Sequence, residues 1–448
     1  MSNRAPEPGK IRPKPNRVAV LFPAVCGLWL GLALLKFGNP VLLADKIDAP
    51  SSYFQFLIDP WPIAWGYGIV AMAAILGLLL WRWPAFRDGR RWMVTLPAIW
   101  FLIQVLAWFG SVDSALSSRT LLHFASVAIA FYVGLCAFSN AADLRWFWFL
   151  FLAAFCLVVM TGCYQHFIGL EETRRFFFAY ELPKYPNGPP PELLKKLASN
   201  RIYSTLFYPN TLAAALILAT PLLIAQLALV RATRPAKGLL LFLAGAGCLL
   251  CLYWSGSKAG WLIALAISVI ALSHARVSWR PKLLFLGIVC LTGVVGFVWR
   301  YSSYLERGAS SATARMDYWR AAVRAFAERP LLGSGPGTFM VSYRRLKPPQ
   351  AEMARLAHND YLQQASDSGV VGFVAFSLFI AGSILVLYRR SCSDPVRFAV
   401  WLALVGLSLH SLFEFNLYVP AIAWPQFFLF GWLWANGPIA SAKSVRAP

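Results

Sequence analysis

The chain alternates between long apolar segments and short polar ones. Apolar runs recur along the sequence, many of about 18 to 24 residues, each able to cross the roughly 30 Å hydrocarbon core of a bilayer as a helix. The alternating pattern of about 10 residues that β-barrel strands require does not occur, so the spans are expected to be helices. The pattern predicts an all-α membrane protein with about twelve spans, at residues 18–37, 62–81, 92–110, 120–139, 146–168, 209–230, 238–254, 259–273, 283–299, 370–388, 397–417 and 421–436.

Composition and charge support this class and set an orientation. Only 13% of the residues are charged, about half of what a soluble domain carries. The net charge of +22 does not indicate a nucleic-acid partner, because about half of the 41 Lys and Arg residues lie in the short segments on one side of the predicted spans. The short loops on the other side hold only Lys46, Arg119 and Lys258. This asymmetry predicts that both termini are cytoplasmic.

The longest polar segment, residues 300–369, is predicted to lie outside the cytoplasm. It holds ten Arg and Lys residues against six Asp and Glu. Long loops escape the orientation rule, so the charge is either merely tolerated there or binds an anionic ligand. An amphipathic helix is predicted over 315–328, with Pro330 ending it, and a second helix over 349–364.

The expected organisation follows from these segments. Residues 1–17 form a cytoplasmic tail, 18–299 the first nine spans with an extracytoplasmic loop at 169–208, 300–369 a small helical cap, 370–436 the last three spans, and 437–448 a second cytoplasmic tail.

Several polar motifs stand next to these spans in a fixed order. They are Arg201 with Tyr208-Pro-Asn-Thr-Leu-Ala213, Ser255-Gly-Ser-Lys-Ala-Gly260, Leu331–Gly337, His358-Asn-Asp-Tyr-Leu362 followed by Asp367-Ser-Gly369, and His410-Ser-Leu-Phe-Glu414. Their order and spacing, with the large late loop, resemble those of the O-antigen ligase (Wzy_C) family. The resemblance covers most of the chain.

The resemblance implies glycosyl transfer at the periplasmic face of a bacterial inner membrane, by a membrane-embedded enzyme of the GT-C-like type. The implied donor is a glycan on undecaprenyl diphosphate, and the implied acceptor is lipid A–core oligosaccharide. The family histidine corresponds to His358 and the family arginine to Arg201. Lys258 stands where many members have Arg, and Asp367 stands where Glu is common.

The chemistry of such a reaction fits the residues present. A lipid diphosphate brings its own energy, and its leaving group needs cations, for which Arg201, Lys258 and Arg315 are the candidates. Lipid headgroup contacts are the alternative role for the two arginines. His358, the only His in the 300–369 insert, is the candidate base, with packing as the alternative.

Further residues are predicted to support this site. His410 and Glu414 are four apart, and the prediction places them on one face of a span, as a structural pair or as part of the site. The remaining supporting candidates are Asn359, Asp367, Tyr208, Asn210, Gly333 and Gly335. No cofactor and no metal are expected, since no Asp-x-Asp occurs and the acids do not cluster. If the acceptor hydroxyl attacks in a single displacement, the configuration at the anomeric centre of the transferred sugar is inverted.

Three functions remain open at this point. The first is O-antigen ligase. The second is a sibling enzyme with the same donor, an O-antigen polymerase or a protein O-oligosaccharyltransferase. The third is a twelve-span secondary transporter, which is disfavoured because its polar groups would lie at the membrane midplane and its halves would show repeats.

Overall fold

The computed structural model describes residues 17–84, 90–141, 143–185, 188–275, 277–306, 310–349 and 351–435. Within these ranges the chain is helical and contains no strand. The two predicted cytoplasmic tails lie almost wholly outside the described residues. The α-helices, in chain order, are α1 (Arg17–Lys36), α2 (Tyr53–Ile58), α3 (Ile63–Leu78), α4 (Leu96–Phe109), α5 (Ser114–Tyr132), α6 (Arg145–Tyr164), α7 (Leu170–Phe176), α8 (Pro191–Leu197), α9 (Pro209–Leu229), α10 (Arg234–Ser255), α11 (Lys258–His274), α12 (Trp279–Glu306), α13 (Ser310–Glu328), α14 (Phe339–Leu346), α15 (Asp360–Ser391), α16 (Pro395–His410) and α17 (Pro420–Ala435).

The long apolar helices indicate a multi-pass membrane protein. Eight helical segments among the described residues are long and apolar enough to cross a bilayer, and α3, α11 and α16 are shorter apolar helices. Each of the twelve predicted segments contains a helix. The count of twelve spans and the orientation of the termini stay predictions.

The break predicted between the seventh and eighth spans is present. Gly256 ends α10 in the left-handed region with φ +62°, a conformation that glycine adopts without steric cost. The hydroxyl of Ser257 then accepts a hydrogen bond from the Gly260 amide and caps α11. The sequence Ser255–Lys258 therefore reverses the chain in a tight turn.

The bundle centres on α17, whose residues from Pro420 to Trp434 are all buried. It packs against α1 and α5, where Trp29 meets Trp424 with ring centroids 6.2 Å apart. A Cβ on Gly431 would lie 2.0 Å from the Phe131 carbonyl oxygen. Such close backbone approach is how small residues pack membrane helices in the absence of a hydrophobic driving force.

Two helix boundaries differ from the sequence prediction. The fifth predicted span was expected to end at 168, but the helical run continues to Lys184 through irregular wider turns. The span predicted at 397–417 ends earlier, because α16 stops at His410 and the next residues form a turn. The residues that follow α16 are therefore not part of that helix.

The insert is only partly as predicted. The helix expected over 315–328 is present as α13. The prediction of a helix over 349–364 was wrong, because residues 351–359 have no regular structure and α15 begins at Asp360. The Asn359 side chain accepts a hydrogen bond from the Leu362 amide, so Asn359 caps that helix rather than lying within one.

The glycine-rich turn at 333–337 packs closely against the bundle. A Cβ on Gly333 would lie 2.4 Å from the backbone carbon of Asp367, and one on Gly335 would lie 2.3 Å from the Ser111 hydroxyl. The buried Asp367 carboxylate accepts hydrogen bonds from the Gly337 amide at 2.8 Å and the Tyr418 hydroxyl at 2.9 Å. Gly333, Gly335 and Asp367 thus join the insert to the membrane helices.

Replacing Gly369 with alanine is expected to destabilise this junction by about 2–4 kcal/mol. Gly369 has φ +66°, and its new Cβ would lie 2.2 Å from the Leu331 carbonyl oxygen. Thermal unfolding of the purified protein in detergent measures the loss. Gly68→Ala is the matched control, because a Cβ there meets nothing within 4 Å in a helix interior. Equal unfolding temperatures for the two variants would contradict the prediction.

Candidate functional site

A single carboxylate, that of Glu414, lies at the centre of the polar cluster between the insert and the membrane helices. Its side chain is 4% exposed. One oxygen, Oε1, accepts hydrogen bonds from Arg315 and from the Asn210 side-chain amide. The other oxygen, Oε2, lies 3.0 Å from His358 Nδ1. One buried charge therefore connects the predicted base to a predicted phosphate-binding arginine.

Four separate parts of the chain meet at this carboxylate. Asn210 is in the first turn of α9, Arg315 is on α13, and His358 precedes α15. Glu414 itself lies in the turn after α16, which is possible because that helix ends at His410. The prediction that His410 and Glu414 share one helix face was wrong. The ring of His410 bonds through Nδ1 to the Asn416 side chain, at 3.2 Å.

Arg201 is held in place by two fixed acceptors. Its Nε donates to the carbonyl oxygen of Ser255, at the end of α10, over 2.7 Å. Its Nη2 donates to the Asn210 side-chain oxygen over 2.8 Å. Asn210 therefore links Arg201 to Glu414, and the arginine predicted before the sixth span belongs to the same cluster.

The three predicted cations border one cavity of about 60 Å³. Arg201, Lys258 and Arg315 all line it, with Asn210, Ser257 and Ser311 among the other lining residues. Lys258 is the first residue of α11, and the amides at a helix N-terminus favour a negative charge. Three basic side chains and this helix end thus surround a space that suits an anion.

The electrostatics keep Glu414 ionised. Burial would raise the pKa of Glu414, but the charges of His358 and Arg315 outweigh burial, with the His358 hydrogen bond, and lower it to about 2. Burial lowers the pKa of Arg201 from its ordinary value, and the charge of Glu414 opposes that effect. The cluster therefore presents an ionised carboxylate to the His358 ring.

The His358 ring is fixed by packing as well as by Glu414. It stacks on Tyr318 with centroids 5.6 Å apart and meets the edge of Phe415 at 4.8 Å. Its backbone is in the left-handed region with φ +51°, which few residues other than glycine adopt. The side chain remains 28% exposed. The ring is therefore oriented and still accessible.

A further cation, Arg300, was not among the sequence candidates. Its guanidinium lies 4.9 Å from the ring centroid of Tyr253 and 5.5 Å from that of Tyr301. Lys258 Nζ lies 5.2 Å from the same Tyr301 ring. Only its position at the end of the ninth predicted span could have drawn attention to Arg300, since the aromatic neighbours come from two different helices.

Three of the supporting candidates, Glu414, Asn210 and Tyr208, lie in the cluster and the others beside it. Asn210 is central, as described, and Tyr208 packs edge-on against Phe415 at 5.9 Å. His410, Asn359, Asp367 and the glycines of the 333–337 turn form structural contacts nearby. Among the described residues, no group of three or more His, Cys, Asp or Glu side chains could hold a metal ion. Metal-independent chemistry stays a prediction.

Comparison with known proteins now bears on this cluster. Residues 239–377 match the family model of O-antigen ligases, Wzy_C. The match supports membership in the O-antigen ligase family. The matched segment contains Lys258, Arg315 and His358, whereas Arg201 and Glu414 lie outside it.

One relative from Haemophilus influenzae, an uncharacterised protein, is 24% identical over 160 residues. The alignment covers 30% of this chain and 40% of that protein, so the chain spans less than half of the relative's length. The family match supports an O-antigen ligase/polymerase-type activity, that of an enzyme transferring lipid-linked glycans.

Proposed function

We propose that this protein is an O-antigen ligase, which transfers a glycan from undecaprenyl diphosphate to lipid A–core oligosaccharide at the periplasmic face of the inner membrane. The observation that carries the proposal is the Glu414 carboxylate, which joins His358 to the rim of a cavity bordered by Arg201, Lys258 and Arg315. The proximity of His358 to these three cations supports the proposal.

The cations are proposed to bind the diphosphate of the donor. Arginine presents parallel N–H groups that match two phosphate oxygens, and Arg201 is preoriented by Ser255 and Asn210. Lys258 and Arg315 add two more charges around the same cavity. As the bond to the diphosphate breaks, the negative charge that develops on the leaving group is stabilised by groups already in place.

His358 is proposed to act as the base for the acceptor hydroxyl. The Glu414 carboxylate can accept a hydrogen bond only from a protonated Nδ1. The neutral His358 ring therefore carries its proton on Nδ1, and its Nε2 is free to accept a proton. The hydroxyl gives its proton to Nε2 while its oxygen attacks the anomeric carbon. The anomeric carbon–oxygen bond to the diphosphate breaks, and undecaprenyl diphosphate leaves. One such displacement inverts the anomeric configuration.

Purified protein supplied with undecaprenyl-diphosphate-linked glycan and rough lipopolysaccharide tests this proposal. We expect a shift of the lipopolysaccharide band on a gel, unchanged by EDTA, and a product with inverted linkage. Growth of the glycan on its own chain end would instead indicate a polymerase, and transfer to a peptide an oligosaccharyltransferase. Absence of transfer to any of these acceptors would support a transporter.

Replacing Arg201 with lysine tests the diphosphate contact. The charge remains but the two directed N–H groups are lost, so the KM for the donor is expected to rise about tenfold. The KM for the acceptor should not change. Arg175→Lys is the matched control, because Arg175 is an exposed arginine of the same predicted extracytoplasmic region and pairs with Glu171 on its own helix. A donor KM within twofold of wild type would contradict the assignment.

A further inference from the structure

A strained aromatic turn lies between Arg201 and α9. Phe207 has φ +64°, and the Tyr208 amide donates to the Leu206 carbonyl oxygen over 2.7 Å, which closes a three-residue turn around Phe207. This geometry is rare and strained, above all for a bulky residue. The Phe207 ring is nevertheless 44% exposed, so burial of its apolar surface does not explain the conformation. Strain of this kind is concentrated at functional sites.

This turn is connected to the candidate base by aromatic contacts. The rings of Phe207 and Tyr208 have centroids 5.9 Å apart. Tyr208 meets the edge of Phe415 at 5.9 Å, and Phe415 meets His358 at 4.8 Å. Glu414 connects the residues of the cavity to His358, whereas Phe415 connects the Phe207–Tyr208 pair to His358. The two sets of residues are therefore linked to His358 by different contacts.

A cation accompanies the aromatic pair. Lys196, on α8, places its Nζ 5.6 Å from the Tyr208 ring centroid. Lys196 does not line the cavity described above.

We propose that Phe207, Tyr208 and Lys196 form the acceptor subsite and that it takes a phosphorylated sugar of the acceptor glycolipid. This inference rests on the proposed function. The exposed aromatic ring offers a flat apolar surface for a sugar ring, and the Lys196 ammonium suits a phosphate on that or the next sugar.

The position of the subsite agrees with a single displacement. The attacking hydroxyl and the leaving diphosphate must lie on opposite sides of the anomeric carbon, within reach of one base. The aromatic pair and the cavity are connected to the same His358 ring through different residues, Phe415 and Glu414, so one base serves both sites.

Kinetics with phosphorylated lipid A–core and with the same acceptor after chemical dephosphorylation test the inference. Lys196→Ala is expected to raise the KM for the phosphorylated acceptor about three- to tenfold and to leave the donor KM unchanged. With the dephosphorylated acceptor, wild type and Lys196→Ala should have the same KM. Lys195→Ala is the control, since Lys195 is the exposed neighbour on the same short helix.

Phe207→Gly separates recognition from folding. Glycine adopts the positive φ without strain, so the unfolding temperature should stay or rise while the ring is lost. The acceptor KM should rise for both forms of the acceptor. An unchanged acceptor KM in Phe207→Gly and Lys196→Ala, or an equal rise in the donor KM, would overturn the subsite.

Binding without donor distinguishes this failure from failure of the proposed function. Immobilised wild-type protein should retain phosphorylated lipid A–core more strongly than Lys196→Ala does. If that difference is found and no transfer occurs, the ligase proposal fails and the subsite stands. If transfer occurs and both proteins bind the acceptor equally, the subsite fails and the ligase proposal stands.

Discussion

Replacing His358 with alanine is expected to lower the rate of glycan transfer by about 10²–10⁴-fold, the usual contribution of a positioned general base. The ring is oriented by Glu414 and packed against Tyr318 and Phe415, so alanine removes a base that is already positioned. Donor affinity should change little, because His358 does not line the cavity. The loss should therefore appear in kcat.

The measurement is single-turnover transfer with saturating donor and lipid A–core acceptor. His166→Ala is the control, since His166 is an exposed histidine that stacks on Trp254 and makes no contact with Glu414. His358→Ala with wild-type kcat, or a loss confined to the donor KM, would show that His358 is not the base.

The sequence predicted the positions of the helices better than the geometry between them. Long apolar runs have few alternatives in a bilayer, so each of the twelve predicted segments contains a helix. The turn at Ser255–Lys258 was predictable because Gly256 and the capping Ser257 carry local signals. The amphipathic helix α13 was also predictable from a local signal, the helical spacing of its own apolar residues.

The partner of Glu414 could not be found from spacing. The interval of four residues from His410 places both side chains on one face only if the helix continues, and α16 ends at His410. The ion pair with Arg315 joins residues 99 positions apart in sequence, and the hydrogen-bonding contact with His358 spans 56. Nothing local in the sequence encodes either contact.

Two further features depend on tertiary structure in the same way. Arg300 becomes part of the cation cluster because Tyr253 and Tyr301 lie on different helices that meet there. The glycines of the 333–337 turn lie close to Asp367, Ser111 and Thr120, which are distant from the turn in sequence. Sequence alone shows that close packing occurs and does not show with what.

Replacing Glu414 with glutamine is expected to reduce transfer on the order of 10²–10⁴-fold, with His358 still in place. Glutamine can keep a hydrogen bond to the ring but carries no charge, so the imidazolium formed during proton transfer loses its stabilisation. The same change leaves Arg315 without its buried counter-charge. Glu414→Asp keeps the charge on a shorter side chain and should recover part of the rate.

The double variant separates this role from simple loss of structure. Residues that act as a unit have non-additive effects, so His358→Ala with Glu414→Gln should be no slower than His358→Ala alone. Glu172→Gln, which removes an exposed carboxylate bonded to Tyr164, is the control. Fully additive losses would mean that Glu414 only holds Arg315 and Asn210, and that His358 takes its proton without help from a carboxylate.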